Sequence, residues 1–380
     1  MILFNPTAHY CDNGPLEAKR LRDRRDSFRV SDSNCIDIGL VNNMPASALE
    51  ATERQFCALL DAAPDGIVVR LTLYALPDVP RTDVGRRRVS ALYSDVSDLW
   101  NSHVDGLIIT GAEPQSANLT EEPYWGSLTT LLDWAERHTD STVCSCLAAH
   151  AAVLHFDGIG RRRLSDKRFG VFDCARVSDH PLTATVPAHL KMPHSRWNDI
   201  AEDALMACGY RILTRSEHAG VDAFVKQRRS LFVFFQGHPE YEVDTLLREY
   251  RRDIGRFLRG ERESYPSMPQ GYFAQDTVSA LTALRERALL DHREELLSDF
   301  PMELLSGKLR NTWRSAGVSV YRNWLLYLCE QKQRRMKARQ NRREFKSVRA
   351  LGFGLPQQTG RRRNSDRPAR SLEETRHGTL

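Results

Sequence analysis

The chain has 380 residues, 41% of them hydrophobic and 27% charged, which is the composition of a folded globular protein and not of a fibrous or disordered one. No apolar run reaches the roughly 20 residues of a membrane helix, and the polar start predicts neither a secretory signal nor a membrane partner. The net charge of +5 is unevenly placed: residues 331–370 carry 14 Lys/Arg against two acids, a local +12 that leaves −7 on the rest.

In chain order, residues 1–34 are polar and charged and read as an N-terminal arm. Ile36–Val41 is a buried-strand run closed by the turn signal Asn42-Asn43-Met44-Pro45, and 49–60 has helical apolar spacing. Ile67–Tyr74 and Asp105–Thr110 are strand-like, the second running into Gly111-Ala112. Tyr124–Arg137 is an amphipathic helix, Ser141–Ser145 a short strand, and Cys146 to His155 the next helix. Strands alternating with helices of 10–15 residues predict an α/β fold with a doubly wound, mainly parallel sheet. Short strands within 211–235 suggest an antiparallel extension. Helical patterns follow at 244–259, 274–309 and 318–337, and 338–380 reads as a basic disordered tail. Eight scattered cysteines with no paired CxxC spacing predict a reduced, cytoplasmic chain with no metal centre.

Three strand ends carry candidate chemistry. Cys146 stands where an apolar strand turns into an Ala-rich helix, a position that exposes a side chain and aims helix N–H groups at its target. A buried core cysteine is the alternative there. Gln236-Gly237-His238-Pro239-Glu240 follows the strand Leu231–Phe235; His238 suits a general base and Glu240 its orienting carboxylate, although a structural His at a helix start is equally simple. The turn at Ala112-Glu113, with the amide of Leu147, can supply backbone donors for an oxyanion. Together the three predict acyl transfer, or amide or ester cleavage, through a thioester. His150 and His155 read as helix-surface or core histidines.

The stretches IGLVNNMP, DGLIITGAEP, EPYW, STVCSCLAAHAAV, MPHSRWND, QGHPEY and WRSAG…NWLLY resemble homoserine O-acyltransferases of the succinyltransferase type. That family lies in the class I glutamine amidotransferase-like, flavodoxin-like superfamily. The resemblance implies an amidotransferase-like catalytic domain over 35–273, completed by a helical segment at 274–337. It implies Cys146 as nucleophile, His238 as base and Glu240 as orienter, with Ala112, Glu113 and Leu147 forming the oxyanion hole. It also implies Ser195, Arg196 and Arg252 as substrate-binding groups, acyl-CoA (succinyl-CoA or acetyl-CoA) as co-substrate with no bound cofactor, and a homodimer. The sequence departs from the family at Ala46-Ser47, where a lysine pair is usual, and at Glu113-Pro114-Gln115, where Pro-Leu-Gly is usual. Asn118 falls at the position tied to acyl choice, so succinyl and acetyl stay open. An amidotransferase or hydrolase of the same fold, a serine acyltransferase, and nucleic-acid binding by the basic tail are the competing expectations.

Overall fold

The first long strand, β2 (Cys35–Val41), is buried along almost its whole length, and β3 (Val68–Tyr74) pairs beside it in parallel. A computed structural model describes residues 2–4, 35–62, 66–305 and 307–350. The parallel half of the sheet runs β1 (Ile2–Phe4), β3, β2, β4 (Gly106–Ile109), β5 (Ser141–Ser145) and β10 (Leu231–Phe235). The chain steps from β2 outward to β3 and then back across to β4, so the strand order reverses between β2 and β4. Open α/β sheets place their sites beside such a reversal, at the carboxyl ends of the strands.

Helices cover both faces because the central strands are apolar on both. Phe232 and Phe234 of β10 face one layer, and Val233 and Phe235 the other. On the first side lie α3 (Trp125–His138) and α4 (Leu147–Asp157), packing Leu128, Leu131, Ala148 and Ala152 into the core. On the second lie α1 (Leu49–Asp61) and α7 (Arg314–Ala350), which contribute Phe56, Leu60, Tyr321, Trp324 and Leu328. A Cβ on Gly106 would stand 2.7 Å from Leu328 and 2.9 Å from the Trp324 ring, so the missing side chain lets α7 lie directly on the sheet. Trp324 Nε1 donates to Ser141 Oγ at 2.9 Å, and Lys332 Nζ pairs with Asp105 at 2.8 Å.

Beyond β10 the sheet continues antiparallel through β9 (Gly220–Gln227), β8 (Arg211–Ser216), β6 (Arg162–Arg176) and β7 (His189–Asp199). This wing exceeds the expected 211–235 extension, since β6 and β7 precede it in the chain and join the same sheet. Charged and polar residues along the first half of β6, several of them exposed, hide its extended pattern. The 274–309 segment forms α6 (Gln275–Leu290) and short turns at Glu294–Asp299 and Met302–Leu305. With α5 (Thr245–Leu258) it builds a third core around Tyr250, Leu284 and Trp313.

Two expectations about the ends change. Ile2–Phe4 of the N-terminal arm forms an edge strand parallel to β3; the rest of the arm, 5–34, lies outside the described residues. Residues 338–350 are helical and not a disordered tail, while 351–380 lie outside the described residues. The described residues up to 334 form one compact unit, and those from 335 onward belong to another. Among the described residues no helix is long and apolar enough to cross a membrane, and all seven cysteines are unpaired.

Candidate active site

Cys146 directly follows β5 and caps α4. Its φ of 50° and ψ of −108° make it the one non-glycine with positive φ among the described residues. Such backbone costs about 1–3 kcal/mol and persists where its surroundings enforce it. Here the Cys146 N–H donates to the Phe235 carbonyl at 2.7 Å, and the buried alanines after it seat α4 closely on the sheet. The thiol therefore stands at the apex of a sharp strand-to-helix turn, before the unpaired N–H groups of the first helical turn.

Gly111 brings the turn after β4 against that helix start. A Cβ there would lie 2.9 Å from Leu147 Cβ and 3.2 Å from Leu147 N. The turn that leads into Ala112-Glu113 thus begins against the Leu147 amide. The Glu113 side chain points outward, its carboxylate 3.6 Å from Arg256.

His238 enters from the end of β10. Its Nδ1 meets Glu240 Oε1 at 2.8 Å, and the same oxygen accepts from Ser145 Oγ at 3.3 Å. Tyr241 stacks on the imidazole with ring centroids 4.1 Å apart. The buried Nε2 edge is outside hydrogen-bonding geometry, yet the ring interacts directly with the Cys146 sulfur. Burial disfavours the imidazolium, but the Glu240 carboxylate and the neighbouring Cys146 side chain outweigh it and hold the pKa well above the usual histidine value. Behind this loop lies a buried His194–Asp222 pair at 3.3 Å. A Cβ on Gly237 would come within 2.4 Å of Asp222 Oδ1, so the His238 loop rests directly on that pair. Cys174 joins His194 and Asp222 in a group with metal-ligating chemistry, fully buried within the sheet wing, and Thr214 already donates to the Asp222 carboxylate.

The remaining expected residues divide. Ser195 hydrogen-bonds to Glu249, which also accepts from Tyr241 at 2.7 Å and faces Lys167 at 3.4 Å. Arg252, about half exposed, pairs with Asp253 at 2.9 Å and also feels the charges of Glu249 and Glu113. Arg196 is buried, and its guanidinium holds Asn198 O at 2.7 Å, Asp199 at 2.9 Å and the Ala219 carbonyl. It contributes positive charge near Cys146 while its donors brace the sheet wing. Asn118 is exposed and caps the short turn Leu119–Glu121, accepting from Thr120 N at 3.1 Å.

Sequence reasoning missed Lys167 and Glu249. Lys167 sits in a charge run that reads as solvated surface, and it lies between Glu249 and Asp253, both at 3.4 Å. Glu249 could have been found from its position three residues before Arg252, one turn away on the same helix.

Comparison with known proteins identifies the family. The family model described as homoserine O-succinyltransferase matches residues 23–335. A homoserine O-succinyltransferase of Rhodopseudomonas palustris is 48% identical over 336 residues, covering 87% of this chain and 99% of the relative. One from Methylorubrum extorquens is 46% identical over 288 residues, covering 76% and 86%. Among solved structures, a glutamine amido transferase from Methylobacillus flagellatus superposes with a TM-score of 0.44 at 15% identity, covering 77% of this chain and 95% of that one. A match of this extent, to the family model and to relatives along nearly their whole length, settles the affiliation: the chain belongs to the homoserine O-succinyltransferase family.

Proposed function

We propose that this acyltransferase works through a thioester on Cys146, with succinyl-CoA as donor and homoserine as acceptor, in methionine biosynthesis. The carrying observation is the convergence of the strained Cys146 turn with the His238–Glu240 pair at adjacent strand ends. The Cys146 thiolate attacks the donor's thioester carbonyl. The tetrahedral oxyanion is held by the Leu147 amide and the backbone of Ala112-Glu113, and collapse expels the CoA thiolate, which takes its proton from His238. The homoserine hydroxyl then enters. Neutral His238 takes its proton, the alkoxide attacks the acyl-Cys146 carbonyl, and collapse returns the free cysteine and the O-acyl product.

The acceptor pocket follows from charge. Arg252 offers a planar fork to the homoserine carboxylate. Glu249, steadied by Tyr241, Ser195 and Lys167, offers a carboxylate for the ammonium group. Succinyl-CoA is preferred over acetyl-CoA as donor because the relatives are named succinyltransferases.

Intact-protein mass spectrometry tests the reading. Mixed with succinyl-CoA and no acceptor, the wild type gains one succinyl group, mapped to Cys146 and discharged on adding homoserine; Cys146→Ala gains none. An adduct elsewhere, or ammonia release from glutamine without any CoA dependence, overturns it.

A further inference from the structure

Successive residues of an α-helix lie about 100° apart around its axis, so α5 presents two polar faces that meet at Arg252. One face carries Glu249, Asp253 and Arg256, which reach Tyr241, Lys167 and Glu113 and so border the catalytic cleft. The other carries Asp244, Arg248, Arg251, Gly255 and Arg259. This second face forms the polar wall of a cavity of about 620 Å³, and Arg252 lines it too. The opposite wall is apolar: Leu297, Met302 and Leu305, all from the segment that follows α6, with Leu247 at the base. The volume lies within the range of roughly 300–1,000 Å³ usual for small-molecule sites.

The lining sets four guanidinium groups against one carboxylate, Asp244, on a body whose net charge is negative. Arg248 and Arg259 have solvent-accessible carboxylate neighbours, whereas the partner of Arg252, Asp253, is buried. Arg248 pairs with Glu242 at 3.0 Å and Asp244 at 3.1 Å, Arg259 with Glu261 and with Glu294 at 3.2 Å, and Arg252 with Asp253. The exposed pairs contribute little and are screened by salt, so a multiply charged ligand can take Arg248 and Arg259 over. Arg251 makes no ion pair among the described residues.

We infer that this cavity holds the phosphorylated adenosine end of the acyl-CoA donor, its phosphates on Arg248, Arg251 and Arg259 and its adenine against Leu297, Met302 and Leu305. Guanidinium forks match phosphate oxygens in pairs, and the leucine and methionine side chains give a flat base an apolar surface. The cavity adjoins the cleft at Arg252, as the nucleotide end must if the thioester end is to reach Cys146. The inference rests on the acyl-CoA reading above, and it gives the segment after α6 a role as one wall of a binding site.

Steady-state kinetics on the full chain test it, comparing wild type with Arg251→Glu and with Arg248→Glu/Arg251→Glu. Two donors are used: succinyl-CoA and succinyl-pantetheine, which lacks the nucleotide. The expected result is a rise of about tenfold or more in KM for succinyl-CoA in Arg251→Glu, larger in the double variant, with KM for homoserine unmoved. With succinyl-pantetheine the variants and wild type converge. Calorimetry with adenosine 3′,5′-bisphosphate gives a second readout that does not depend on turnover: wild type binds it and Arg251→Glu loses that binding. A KM for succinyl-CoA that stays within twofold of wild type overturns the inference, as does a rise of equal size for both donors. If wild type fails to transfer succinate at all, the catalytic reading falls, and bisphosphate binding alone then decides the fate of the pocket.

Discussion

His150 lies one helical turn after Cys146, with both ring nitrogens buried and its imidazole beside the Gln236 side chain. Burial, then the positive charges of Arg196 and Arg161, push its pKa down to about 3. An unfolded histidine titrates near 6.5. Between those limits the unfolded chain binds a proton that the native chain refuses, so stability rises with pH through that window and is lost as the solution is acidified. His238 has the opposite sign: its raised pKa gives stability that is present below the unfolded value and is lost as pH rises through the folded one. Replacing His150 with Leu is expected to flatten the acid side of the stability curve, read as the urea midpoint between pH 4 and 7. An unchanged slope would show that His150 does not carry this term. At this scale Cys146, His238 and Glu240 were legible because each stands at a strand end with its partner types in sequence. Arg196 was legible as a motif residue but not in its bracing work, because its acceptors, the Ala219 carbonyl above all, come close only in the fold.

Among elements, the contact between the turn after β4 and the start of α4 matters most for chemistry. Gly111→Ala places a methyl 2.9 Å from Leu147 Cβ and must push the turn away from the Leu147 amide. The expected result is a loss of about 10²-fold in kcat, as when an oxyanion donor is removed, with about 1–3 kcal/mol lost to overpacking. Stopped-flow acylation rates and denaturation midpoints separate the two; full kcat in a destabilised variant would exclude the oxyanion role for this turn. The parallel strands and the helices between them were readable from apolar runs of the right length. The β6–β7 pair was not. Half of β6 is Arg, Ser, Asp and Lys on an exposed wing, where the backbone ladder and not apolar alternation keeps the strand extended. The helix beyond residue 337 was missed for a related reason: its Arg, Lys, Gln and Glu are good helix formers, but with so few apolar residues they read as a tail.

For the whole molecule, every group assigned to catalysis or binding lies within the 1–334 unit. A chain ending at Arg334 keeps Lys332 and its pairing with Asp105, and it is expected to retain kcat and KM within about twofold, because every assigned group precedes the cut. Loss of activity in a chain that still folds would assign the basic segment a part in turnover. The split of charge seen in the sequence thus separates a net-acidic catalytic unit from the basic segment that follows it, and the overall sign says nothing about the substrate. The amide of Cys146 bonded to the carbonyl of Phe235 has a last consequence. That bond continues the ladder between β5 and β10, so Cys146 and His238 leave the sheet from adjoining, hydrogen-bonded strands, one residue after the last paired position for Cys146 and three after it for His238. Thermal swings of the surrounding loops can change how wide the entrance stands, but sulfur and imidazole ride together, and the distance a proton must travel is insulated from that breathing.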